Sequence, residues 1–132
     1  MESPFLNTYR NSAFATPVSI GIIVVCVAIF LAGNLSPALA LWPFNSGFFA
    51  PWQLLTYGFL HGSFNHLFFN MFAVWMFGTH LENSWGTLKF SNYFAICVIG
   101  AGIVQLLVQL FEGGVYPTIG ASGGVFGLLL AY

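Results

Sequence analysis

Residues 52–78 read WQLLTYGFLHGSFNHLFFNMFAVWMFG, without a single Asp, Glu, Lys or Arg. A bilayer crossing takes about 20 apolar residues, so the stretch is long enough to be a membrane span. It nevertheless holds His61, His66 and Asn70. Ionisable and amide side chains are expensive inside a membrane, so each must be hydrogen-bonded or put to use. His66 and Asn70 are four residues apart and share a helix face, about 6 Å apart along the axis. His61 lies roughly 140° round from His66, toward the outer end.

Outward from this stretch the chain keeps the same character. It has 132 residues, 58% hydrophobic and only 4% charged, against about 25% charged in a soluble domain. No charge occurs between Arg10 and Glu82. A net charge of −1 and only two bases exclude a phosphate-neutralising surface, and with it nucleic-acid binding. Cys26 and Cys97 sit in apolar runs and read as small buried hydrophobes rather than as a disulfide or metal pair.

Three further spans flank the first. Residues 18–36 lie uncharged between Pro17 and Pro37; the competing reading is a signal peptide with Ala38-Leu39-Ala40 as its cleavage site. Residues 90–111 form an uncharged run, and 119–132 begin another. Residues 1–17 form a polar leader, and 18–132 are expected to be one all-α, polytopic helix bundle with spans near 18–36, 54–78, 90–111 and 119–132. The aromatic loop 41–51 (LWPFNSGFFAP) suits the membrane–water interface. Residues 79–89 (THLENSWGTLK) read as a polar turn, with Glu82 solvated or capping a helix. Arg10 and Lys89 are separated by two crossings and so share a side, which the positive-inside rule makes cytoplasmic. That leader has one Arg and one Glu, unlike an organellar presequence, and a bacterial inner membrane is expected.

The last span raises a difficulty. From Ser122 to Tyr132 a helix rises only about 16 Å, roughly half of the hydrocarbon thickness. Ending there would leave carbonyls unpaired in lipid, so the sequence is expected to be a fragment.

Gly120-Ala121-Ser122-Gly123 opens this helix. Small neighbours leave the Ser122 hydroxyl approachable, and the unpaired N–H groups of a helix start can hold an oxyanion. The same glycines also suit close helix packing, because Gly120/Gly124 and Gly123/Gly127 are G-x-x-x-G pairs. The intramembrane histidines and the amide have their own alternative as interhelical glue. Metal binding is not expected: no carboxylate or cysteine accompanies the histidines, and H-E-x-x-H is absent.

HGSFNHLFFN at 61–70 followed by GASG at 120–123 resembles the rhomboid family of intramembrane serine proteases, over most of the chain after residue 40. The resemblance implies that Ser122 is the nucleophile. It implies that His66 and Asn70 help to form the oxyanion hole with the Ser122 N–H, and that His61 supports the site and its water supply. Glu82 matches an acidic residue with a structural role. Trp52 matches the first member of a Trp-Arg pair, with Gln53 in place of the Arg. Phe126 matches an aromatic that packs on the catalytic His, and Gly120 and Gly123 complete the serine motif. The family's general base is a His on a sixth helix, in an Ala-His-x-x-Gly setting. The 132 residues hold no such segment, and His80 is about 21 Å along the helix from His66. A serine without a positioned base is a poor nucleophile, so this chain alone is expected to be inactive while its full-length parent cleaves transmembrane proteins without metal or cofactor. The alternatives are a non-catalytic rhomboid-like protein that binds transmembrane helices, and a small helical membrane subunit.

Overall fold

Pro17, with its fixed φ and no N–H to lose, starts the first helix of the computed structural model, which describes residues 16–132. The leader and Arg10 lie outside the described residues. This helix, α1 (Pro17–Leu31), ends in a left-handed turn in which Gly33, Asn34 and Leu35 all have φ between 61° and 73°. The first helix is therefore shorter than the span expected there: residues 32–36 form the turn rather than helix.

The loop that follows carries two short 3₁₀ turns, Pro37–Leu39 and Phe44–Ser46. It is tied to the rest of the molecule at Leu41, which exchanges both backbone hydrogen bonds with Thr118 at 2.9 Å. Buried Gln53 organises the loop from below. Its Oε1 accepts from the Trp42 N–H, and its Nε2 donates to the carbonyls of Ala38 and Phe48.

The span expected at 54–78 is not one helix. A short α2 (Gln53–Thr56) runs into a 3₁₀ turn, Tyr57–Phe59, and Leu60 is extended. A new helix, α3 (Phe64–Ala73), starts where Ser63 accepts the His66 N–H on its Oγ at 3.2 Å, an N-cap. His61 therefore lies in the break before α3, and its expected placement on the His66 helix is corrected. A π-helical turn, Val74–Gly78, leads directly into α4 (Thr79–Trp85). The expected polar turn at 79–89 is thus mostly helix. Only Gly86, at φ 89°, breaks the chain before α5 (Thr87–Glu112), whose 26 residues give a length of about 39 Å. The last helix, α6 (Ser122–Ala131), begins three residues later than expected.

Glu82 is 1% exposed, which overturns the solvated reading. It does cap a helix, but one distant in sequence. Its carboxylate accepts from the Val18 N–H, the Ser19 N–H and the Ser19 Oγ at the start of α1, and from the Thr87 Oγ1 at the start of α5. Gly78 makes room for this node, since a Cβ there would lie 3.2 Å from Ser19 Oγ and 3.3 Å from the Phe90 ring.

Helices α5 and α6 touch backbone to side chain. A Cβ on Gly123 would fall 2.4 Å from Ala101 Cβ, and one on Gly127 would fall 2.4 Å from Cys97 Sγ. The expected glycine packing is thus present, with α5 as the partner. The core runs through Cys26, Val74, Phe90, Val98, Leu106 and Leu128. Cys97 is only half-buried, unlike Cys26. Large apolar side chains also cover the outside: Val24, Phe68, Phe69, Trp75, Ile96, Val104 and Leu130 are all exposed. Water would not tolerate such a continuous apolar exterior, whereas lipid solvates it. By length and composition α5 is, among the described residues, the one helix able to cross a membrane unaided. The chain is a helical membrane bundle with no strand among the described residues.

Candidate active site

The candidate site lies where the break before α3 meets the start of α6. His66, half-buried, and Asn70, buried, share one face of α3. Gly120 has φ +123°, and a Cβ there would sit 2.5 Å from His66 Cε1. Only glycine permits this conformation and this approach together. The imidazole of His66 therefore rests against the backbone that leads into Ser122. The Gly120 N–H donates to the Tyr57 carbonyl at 2.9 Å, and the Tyr57 hydroxyl donates to the Val98 carbonyl at 2.6 Å. The approach to α6 is thus anchored to both α2 and α5.

His61 is fully buried, with its ring edge-on to His66 at a centroid distance of 5.1 Å. Its Nε2 accepts the Ala121 N–H at 3.4 Å. That contact holds the Gly120–Ala121 peptide, one before the peptide that carries the Ser122 N–H. Ser122 is the first residue of α6 and half-buried, so its own N–H belongs to the set that a helix leaves unpaired. Its hydroxyl makes no hydrogen bond among the described residues. A cavity of about 170 Å³ opens beside it, lined by Tyr57, Gln105, Thr118, Gly120, Ser122 and Phe126 among others.

Two buried donors have no partner among the described residues: His61 Nδ1 and Asn70 Nδ2. Buried polar atoms left unpaired are costly, so these two donors are available to a water or a ligand. Asn70, His66 and the helix-start N–H groups are all donors, the polarity an oxyanion needs. No cluster of three metal-binding side chains occurs among the described residues.

The remaining expected residues fall outside this constellation. Phe126 is exposed on the cavity rim. Trp52 is exposed and donates its Nε1–H to the Ala38 carbonyl at 3.3 Å. Gly123 packs on α5, and Glu82 belongs to the node at the start of α1. Gln53, which stands where the family pair has its Arg, donates to the Ala38 and Phe48 carbonyls of the loop. Asn34 and Tyr57 were not singled out from sequence, although both bond to the site's backbone. The Gly33-Asn34 pair just past an apolar run is a helix-stop signal that could have drawn attention to Asn34.

Residues 49–132 match the Rhomboid domain. Among curated proteins the chain is similar to the Rhomboid protease GlpG of Yersinia pestis (strain Pestoides F), 29% identical over 131 residues, which cover 95% of this chain and 45% of that protein. It is also similar to the Rhomboid protease GlpG of Klebsiella pneumoniae subsp. pneumoniae, 30% identical over 135 residues, 98% of this chain and 46% of that protein. The chain spans about half the length of these relatives. The matched region holds the break before α3, the His66–Gly120 contact and the helix start at Ser122, and the chain belongs to the rhomboid family.

Proposed function

We propose that this chain carries the nucleophile and the oxyanion site of an intramembrane serine endopeptidase whose substrates are transmembrane proteins. The observation that carries the reading is the seating of the Gly120–Ser122 backbone against two imidazoles, His66 at Gly120 and His61 at Ala121. A serine kept only for packing has no need of that arrangement.

In the proposed reaction Ser122 Oγ attacks the scissile carbonyl carbon as a general base takes its proton. The Ser122 N–H, His66 and Asn70 hold the oxyanion of the tetrahedral intermediate. Collapse expels the amine, which receives the proton, and water then releases the acyl group from Ser122. The base is a histidine outside these 132 residues, as the family resemblance implies. His61 Nε2 already accepts from Ala121, His66 lies against Gly120, and His80 is on α4. The 132-residue chain alone is then inactive, because an unassisted serine hydroxyl is a weak nucleophile. No metal or cofactor enters the scheme. In the same reading the leader, residues 1–17, is cytoplasmic, residues 18–132 form the membrane domain, and the membrane is a bacterial inner membrane.

The test is cleavage of a fluorogenic transmembrane substrate by the full-length gene product in detergent. Ser122→Ala is expected to abolish turnover while leaving the melting temperature in place. Turnover that survives Ser122→Ala would reject the assignment.

A further inference from the structure

The turn after α1 reaches the site through one side chain. Asn34 sits in the left-handed region at φ 63°, and its amide makes two hydrogen bonds to a single distant residue. Its Nδ2 donates to the His61 carbonyl at 2.7 Å, and its Oδ1 accepts the His61 N–H at 3.2 Å. Both backbone polar groups of His61 are thereby held by one planar amide, as a neighbouring strand would hold them. The imidazole of the same residue then accepts the N–H of Ala121, one peptide before Ser122. His61 lies in the break between the Tyr57–Phe59 turn and α3, where no helix fixes its backbone. The Asn34 amide supplies the constraint that regular structure does not.

We infer that Asn34 is a positioning residue, acting through His61 to set the peptide that delivers Ser122; the inference rests on the serine endopeptidase reading above. Asn34 does not line the cavity beside Ser122. Its part is to hold the His61 ring at the depth and angle at which Nε2 meets the Ala121 N–H. Two consequences are specific. Nε2 of His61 is the unprotonated nitrogen, because it accepts, and the proton is on Nδ1. Loss of the Asn34 amide frees the ring and mispositions the nucleophile without removing any group that binds substrate.

The first readout uses the full-length gene product in detergent micelles with ¹⁵N-labelled histidine, the His61 imidazole being assigned as the signal lost in His61→Gln. The native chain is expected to show His61 with Nδ1 protonated and Nε2 bare. A His61 proton on Nε2 would overturn the inference whether or not any variant folds. Asn34→Gly, which keeps the left-handed backbone, is expected to move the His61 resonances toward a mixture of tautomers. Glu82→Gln, a destabilising change at the other end of the bundle, is expected to leave them in place. If both variants shift them alike, the effect is general loosening and the inference falls.

The second readout is kinetic, on the full-length gene product. Asn34→Gly is expected to lower kcat by about tenfold to a hundredfold at unchanged KM, the signature of a misplaced reacting group. Native kcat with Ser122-dependent turnover would reject the positioning role alone. Turnover indifferent to Ser122→Ala would reject the protease reading, while the tautomer of His61 would still decide whether Asn34 holds it.

Discussion

Removing the Glu82 carboxylate should loosen the junction of three helices. Its two oxygens accept four hydrogen bonds, from the Val18 N–H at 3.1 Å, the Ser19 N–H and Ser19 Oγ at 2.8 Å, and the Thr87 Oγ1 at 3.0 Å. Glu82→Ala leaves the two hydroxyls free to rotate toward other acceptors. The two backbone N–H groups at the start of α1 have no such freedom. A buried donor left unpaired costs about 1–3 kcal/mol. Ser19 is fully buried, and the Val18 bond is only partly so, so the Val18 contribution belongs at the low end. The sum is about 3 kcal/mol of lost stability, a large part of the roughly 5–15 kcal/mol that holds a folded domain together. Glu82→Gln keeps the shape but turns one acceptor into a donor facing a backbone N–H, and should cost about 1–2 kcal/mol. Ser19→Ala should cost about 1 kcal/mol alone and less in the Glu82→Ala background, because the two side chains share a bond. The assay is reversible unfolding of the chain in mixed micelles of dodecylmaltoside and SDS, followed by helical circular dichroism. Glu112→Ala is the control: Glu112 is exposed at the far end of α5, and such changes fall within about 0.5 kcal/mol. If Glu82→Ala were as mild as Glu112→Ala, the reasoning about the node would be refuted.

The packing of α6 on α5 gives a second prediction: Gly123→Ala or Gly127→Ala, each with a Cβ 2.4 Å from a neighbouring atom, should cost about 1–3 kcal/mol by forcing the helices apart. Gly21→Ala, with nothing within 4 Å of its Cβ, should instead be stabilising by about 0.4–1 kcal/mol in the same unfolding assay. Gly120→Ala meets both an unfavourable φ and the His66 ring; it should shift the His66 side-chain resonances and abolish turnover of the full-length gene product. Gln53→Leu should strand the Trp42 N–H and the Phe48 carbonyl, the Ala38 carbonyl keeping the Trp52 Nε1–H, and should cost about 1–2 kcal/mol and expose the loop at 36–51 to limited proteolysis.

The pattern of uncharged runs was enough to read a membrane bundle, because a bilayer leaves so few ways of placing charge. The four-residue spacing of His66 and Asn70 and the small residues around Ser122 drew attention to the candidate site for a similar reason, since polar groups stand out against an apolar background; their roles came only from the family resemblance. What escaped was everything set by contacts distant in sequence. No charge marks residues 60–63, so the stretch was read as a single span and the start of α3 was missed, although Gly62 and Ser63 are break and N-cap residue types; the break is fixed by the Ser63 cap and by Asn34 holding His61. Glu82 looked like a solvated turn residue because nothing local shows that the bare N–H groups of α1, more than sixty residues earlier, lie over it. The extent of α4 was missed because Asn83 and Ser84 resemble turn residues, whereas only Gly86 has a backbone that stops the helix. Asn34 was passed over because a lone amide near the end of an expected span is ordinary, and its importance lies wholly in its partner.

The most direct measurement is labelling of the full-length gene product in detergent with a fluorophosphonate, followed by peptide mass spectrometry. A serine at a helix start beside donors for an oxyanion, and served by a general base, should attack the phosphorus selectively and expel fluoride. The predicted result is a single adduct on the peptide containing Ser122, lost in Ser122→Ala and blocked by transmembrane substrate. An adduct on another residue, or substrate cleavage with Ser122 unlabelled at saturating reagent, would contradict the assignment of Ser122 as the nucleophile.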